Sequence, residues 1–193
     1  YENGIPKGNE IGFEEIDKFC SWELGRLCTV TGRPSSGKSE FIDFITTKLN
    51  LRYGWKCAYF TPENYPLKYH YAKLHEKYSG KKFKKEFDNT DFLSIFDYIK
   101  NNFYYILDEN DLSLDSILKT AKSYIKQHGI KMLVIDPFNV MEHSFSGNET
   151  KYISEFLNEL IRFTRFNNIL TFLVAHSVKL EAGEIPTLYK ISG

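Results

Sequence analysis

The stretch Gly32-Arg33-Pro34-Ser35-Ser36-Gly37-Lys38-Ser39 fits the pattern GxxxxGK[ST], and it stands where that pattern has physical meaning. A short β-prone segment, 27–31, runs into it, and behind it Phe41, Ile42, Ile45 and Leu49 recur at the spacing of a helix face. Strand, glycine-rich turn and helix in that order make a phosphate cradle. The glycines let successive backbone N–H groups turn inward around phosphate oxygens, and the start of the helix adds the positive end of its dipole. Lys38 is the cation that reaches the β- and γ-phosphates, and the Ser39 hydroxyl is a ligand for Mg²⁺. The expected cofactors are therefore ATP, or another nucleoside triphosphate, and Mg²⁺.

The rest of the chain alternates strand and helix signals. Residues 56–60 read as a strand that stops before Pro62, which has no N–H for a ladder. Further strands are expected over 104–107, 132–135 and 169–175, and helices over 66–78, 91–100, 113–128 and 149–167, the third closed by Gly129. Several of the strands are apolar on both faces, which predicts a mostly parallel sheet covered by helices on either side, an α/β fold. With 193 residues the chain fits one domain: a short linking segment over 1–25 and a core over 26–193.

Composition narrows the partners. Twenty-five Lys and Arg balance twenty-five Asp and Glu, so there is no global basic field for nucleic acid and any such contact has to be local. The longest apolar run, 169–175, falls far short of the roughly 18–20 residues of a membrane span, so no membrane partner is expected. Cys20, Cys28 and Cys57 form no CxxC pair and no secretory segment opens the sequence, which together predict a soluble protein of the cytoplasm or another reducing compartment. The basic run Lys68, Lys73, Lys77, Lys81, Lys82, Lys84 and Lys85 reads as a solvated face.

Three further polar residues end predicted strands, where ligands gather in open α/β sheets. Asp136 closes the apolar run 132–135. Alone it could be a turn residue before Pro137, but next to a phosphate cradle it reads as the carboxylate that holds Mg²⁺. Glu63 follows the strand 56–60 and is either an exposed loop residue or a carboxylate that polarises a water against the γ-phosphate. His176 ends the strand 169–175; it is either a histidine satisfied by a loop carbonyl or a group that reports the γ-phosphate to the segment after it.

The segments VTGRPSSGKSEF (30–41), VIDPFN (134–139), VAH (174–176) and PTLYKISG (186–193) together resemble the RecA-type motor domain of DnaB-like replicative helicases, in the Twinkle and phage primase-helicase branch. The resemblance spans about 22–193. It implies a P-loop ATPase that assembles as a ring, usually a hexamer, and moves along single-stranded DNA in replication. It makes Lys38 and Ser39 the phosphate and magnesium residues, Asp136 the metal-holding carboxylate, Glu63 the catalytic base and His176 a polar sensor. It also places Asn148, Lys151, Lys179 and Lys190 near DNA, and puts the family's arginine finger on strands beyond Gly193. Two other readings stay in play: a P-loop kinase of a small molecule, which would need an arginine-bearing lid where Arg162 and Arg165 instead fall on a predicted helix, and a non-catalytic nucleotide switch or assembly module.

Overall fold

The computed structural model describes residues 7–82, 89–107, 111–138 and 149–176. Its sheet is parallel throughout and consists of β1 (Leu27–Gly32), β2 (Lys56–Phe60), β3 (Phe103–Tyr105), β4 (Ile130–Ile135) and β5 (Leu170–His176), in the spatial order β1-β5-β4-β2-β3. The helices are α1 (Glu14–Asp17), α2 (Lys38–Tyr53), α3 (Lys68–Ser79), α4 (Asn89–Asn102), α5 (Leu114–His128) and α6 (Glu149–Phe166), with a 3₁₀ turn at Pro62–Asn64.

Side chains alternate across a strand, so each strand feeds two cores. Cys57, Tyr59, Met132, Val134, Leu170, Phe172 and Val174 face one side, where Ile42, Ile45 and Leu49 of α2, Leu74 of α3 and Ile99 of α4 meet them. Ala58, Phe60, Leu133, Ile135 and Leu173 face the other, against α5 and α6. Burial on both faces is what the continuous apolar runs require, each large side chain contributing roughly 1.5–3 kcal/mol.

Local signals set most boundaries. Helix α5 begins where the Ser113 hydroxyl accepts from the Ser116 N–H at 3.4 Å, and ends at Gly129, whose φ of 69° lets its N–H return to the Ile125 carbonyl. Strand β3 starts one residue before the expected 104–107, where α4 runs directly into it at Phe103, and ends two residues sooner, at Tyr105. Helix α2 departs further from its expected face. Ile42, Ile45 and Leu49 are buried, but Phe41 is 38% exposed, and Asp43, Thr46, Thr47 and Asn50 are buried in its place.

Residues 7–25 lie against the sheet. Asn9 and Trp22 exchange backbone hydrogen bonds of 2.7 and 2.8 Å, Ile11 and Trp22 are buried in the first core, and the Trp22 ring stands 5.5 Å from that of Phe172. The thiols of Cys20, Cys28 and Cys57 are free. Among the described residues no helix is long and apolar enough to cross a membrane.

Candidate functional site

Parallel strands bring all their carboxyl ends to one edge of the sheet, and the strand order decides which ends are neighbours. The glycine-rich loop leaves β1 at Gly32, which is in register with His176 of β5. Next comes β4, after which Asp136 follows directly, and then β2, whose end leads through Thr61 to Glu63. The Asp136 N–H donates to the Phe60 carbonyl at 2.9 Å, extending the β4–β2 ladder past the strand end. Four segments far apart in sequence thus meet at one crevice. For His176 the described feature is its place in the strand.

The loop geometry follows from its residues. Gly37 caps α2 with a φ of 87°, a conformation that disfavours a Cβ, and Ser35 shares the left-handed region at 60°. A Cβ on Gly32 would come within 2.9 Å of Ser36 Oγ, a hydroxyl that would have to turn aside. Pro34, Ser35, Ser36 and Gly37 are exposed, which leaves the loop backbone accessible at the positive end of a sixteen-residue helix. Lys38 folds back across this loop, its ammonium donating to the Gly32 carbonyl at 3.1 Å and to the Arg33 carbonyl at 2.9 Å.

The Ser39 hydroxyl stands near enough to the Asp136 carboxyl to favour its ionised form. Burial pushes the Asp136 carboxyl above its ordinary range; the Ser39 hydroxyl and the charge of Lys38 oppose that, while the charges of Asp43 and Glu63 add to it. This places Lys38, Ser39, Asp43, Glu63 and Asp136 within electrostatic reach of one another. One hydroxyl and one carboxylate, beside a loop built for phosphate, suit a hard divalent ion that completes its shell with phosphate oxygens and water, as Mg²⁺ does. Glu63 is exposed on the 3₁₀ turn, free to approach a ligand in the crevice.

The other expected residues lie elsewhere. Lys151 is on α6, near Glu155 at 3.8 Å, while Asn148, Lys179 and Lys190, with the segment 177–193, fall outside the described residues. Of the basic run, Lys73 and Lys77 pair with Glu40 of α2 and Lys68 covers the Tyr69 ring; Lys84 and Lys85 are outside the described residues. Arg165 lines a recess with Gly25, Arg26 and Leu27, at the amino end of β1 and so at the edge of the sheet opposite the phosphate loop. An arginine there is no lid for a phosphate.

Two residues at the site carry no motif. Asp43 is 1% exposed and His70 fully buried, and they pair at 3.0 Å directly behind the crevice. The available signal was a carboxylate one helical turn after Ser39, on a helix face otherwise lined by Ile42, Ile45 and Leu49.

Comparison with known proteins follows the same lines. The profile of a family described as the DnaB-like helicase C terminal domain matches residues 8–175. The Twinkle homolog protein, chloroplastic/mitochondrial, of Arabidopsis thaliana is 35% identical over 209 aligned positions, covering 99% of this chain and 29% of that protein. The chain therefore spans under a third of the length of this curated relative. Among solved structures, one ATPase domain superposes with a TM-score of 0.74 at 18% identity over 98% of this chain and 72% of that one. A DnaB-like replicative helicase, solved for its interactions with primase, gives 0.72 at 18% identity over 98% and 50%. The parallel sheet with helices on both faces is thus the RecA-like fold of these ATPase domains.

Proposed function

Because the chain belongs to the family of DnaB-like helicase C-terminal domains, we propose that it is the ATPase motor of a replicative DNA helicase, coupling nucleoside triphosphate hydrolysis to movement along single-stranded DNA. The observation that carries the reading is the convergence, at one edge of the sheet, of the loop that ends in Lys38 and Ser39, of Asp136 after β4 and of Glu63 after β2. A phosphate grip, a metal position and a candidate base converge at one edge of the sheet.

In this mechanism the backbone N–H groups of Gly32 to Ser39 and the start of α2 hold the phosphates. Lys38 exchanges the Gly32 and Arg33 carbonyls for β- and γ-phosphate oxygens. Ser39 and Asp136 would hold Mg²⁺, which would supply positive charge to offset the charge that develops on the phosphate during transfer. Glu63 accepts the proton of the attacking water, the role in which a positioned carboxylate contributes about 10²–10⁴-fold. His176, at the end of the strand between the phosphate loop and Asp136, reports the γ-phosphate to the segment that follows.

The partners follow from family and charge. A chain with twenty-five charges of each sign offers few phosphate contacts by itself, so binding to single-stranded DNA depends on self-association into a ring, as a hexamer. Asn148, Lys151, Lys179 and Lys190 are the proposed DNA contacts. Three free thiols suit a reducing compartment.

The test is nucleotide turnover by the full-length protein, with and without single-stranded DNA, over a range of salt. Stimulation by DNA is expected, and the DNA affinity read from it should fall with salt at a log–log slope of about −0.7 for each phosphate neutralised. Turnover indifferent to DNA, or a slope near zero, would count against a motor and for a switch or kinase.

A further inference from the structure

A carboxylate and an imidazole hidden together cost stability unless each finds partners. Asp43 Oδ1 and both ring nitrogens of His70 find them in a chain that runs through three elements, while Asp43 Oδ2 is buried without a hydrogen-bond partner. His70 Nε2 lies 3.0 Å from Asp43 Oδ1, and His70 Nδ1 lies 2.8 Å from the hydroxyl of Tyr105 on β3. A carboxylate only accepts, so Nε2–H is the donor to Asp43, and Nδ1 shares its hydrogen bond with the Tyr105 hydroxyl. Tyr59 packs beside the pair, its ring meeting His70 edge-on at 4.8 Å and its hydroxyl bonded to Thr46 of α2 at 2.6 Å. The imidazole is fixed in position and orientation.

What the chain of bonds connects gives it a use. Asp43 lies one turn beyond Ser39 on the same side of α2, and its charge is felt at Asp136. His70 is in the first turn of α3, seven residues after Glu63. On the other side of Glu63 stands Thr61, 1% exposed, which accepts from the Asn64 side chain at 2.8 Å and from the Asn64 N–H at 3.1 Å. Glu63 itself is exposed, so its placement rests on these two anchors. The other ties between α2 and α3 are less suited to that task. Glu40 with Lys73 and Lys77 is a surface cluster of the kind that contributes little, and Asn50 with Tyr78 holds the far end of α3.

We propose that His70 is a positioning residue for Glu63: through Asp43 it ties the first turn of α3 to the helix that carries the phosphate grip, and so sets where Glu63 stands relative to Ser39 and Asp136. The inference rests on the reading of Glu63 as the base. Binding of nucleotide needs the loop and Lys38, neither of which the tie touches; the proton transfer needs Glu63 in place. Loss of the tie therefore lowers kcat and spares affinity.

The test is a mutant cycle in the full-length protein. The combination Asp43→Leu, His70→Phe and Tyr105→Phe removes all three polar partners together, leaving no stranded charge or hydroxyl. Expected are fluorescent-nucleotide affinity within about threefold of wild type and a kcat lower by about 10²-fold, the scale of a misplaced catalytic group. In a Glu63→Gln background the same combination should cost nothing further, and His70→Gln, whose amide can donate to Asp43 and accept from Tyr105, should keep most of kcat. A loss that multiplies with that of Glu63→Gln, or an unchanged kcat, overturns the proposal. Should the combined variant not fold, Tyr105→Phe alone carries the same cycle with a smaller loss.

Amide exchange over residues 61–67 without nucleotide supplies a reading independent of turnover. It should quicken when the tie is removed, and unaltered exchange also overturns the proposal. If Glu63→Gln leaves turnover unchanged, the proposal falls through its premise, and exchange that quickens all the same identifies the base assignment as the fault.

Discussion

The ammonium of Lys38 donates to the carbonyl of Gly32, six residues earlier, at 3.1 Å, so the phosphate loop is closed by the same side chain that is to open onto its ligand. The contact with Arg33 at 2.9 Å makes the closure double. Lys38→Ala removes a charged donor whose bonds to an anion contribute about 1.5–3 kcal/mol. Nucleotide affinity should fall by about 10²-fold in a calorimetric titration. The melting temperature without nucleotide should barely move, since the Gly32 and Arg33 carbonyls are only partly buried and can turn to water. Unchanged affinity would remove the loop from the site.

Glu63→Gln keeps the reach and shape of the side chain and removes its basicity. Nucleotide affinity should hold while steady-state turnover falls by about 10²–10⁴-fold. A fall of only a few-fold would assign the base elsewhere.

Asp136 should show stability and function pulling apart. Its carboxyl is raised mainly by burial, so the folded state holds the proton more tightly than the unfolded one. The sign follows: its contribution to stability is greatest below the ordinary carboxylate value and is lost as pH rises through the raised one, so at neutral pH the ionised group is a cost. Asp136→Asn should therefore raise the melting temperature of the ligand-free protein. It should also abolish the extra thermal shift that Mg²⁺ adds to nucleotide, which chelation removes from the wild type. A lower melting temperature in the variant would contradict the burial argument.

Glu40 works in the opposite sense. Partial burial pushes its carboxyl up, but hydrogen bonds and charge from Lys77 and Lys73 outweigh that and hold it below its ordinary value. A group lowered by folding stabilises above its ordinary value and loses that contribution as pH falls through the lowered one. Glu40→Gln should thus destabilise the protein at neutral pH, by less than about 1 kcal/mol for so exposed a cluster, and make little difference once the pH is below the lowered value. Thermal melts at the two pH values read this out, and equal differences at both would show that the charges contribute nothing.

What the sequence revealed and what it hid divide along a physical line. The phosphate loop, the apolar run that becomes β4 and the ends of α5 are local: residues within a few positions of one another decide them, as Ser113 and Gly129 do. Helix α2 is not local. Its periodic apolar residues foretold a core face that included Phe41, yet the structure turns Phe41 partly outward and buries Asp43, Thr46 and Asn50. Their partners lie 27, 13 and 52 residues away in His70, Tyr59 and Asn102. A buried polar residue is legible only with its partner, and the partner is known only once the fold is. The same holds for Ile11 and Trp22, whose place in the core depends on a strand that ends the described chain.

The buried polar side of α2 also bears on how such a protein can diverge. An apolar contact tolerates a neighbour slightly larger or smaller, and its losses accumulate gradually. Asp43, His70 and Tyr105 offer less gradation, because an apolar residue at position 70 alone strands a carboxylate and a hydroxyl away from water. A single apolar step at Asp43 or His70 leaves an uncompensated buried group, whereas a joint replacement by apolar residues does not. Over long lineages the three positions are therefore expected to be inherited as a block and exchanged as a block, so that their covariation in descendants would record a constraint that no individual position displays.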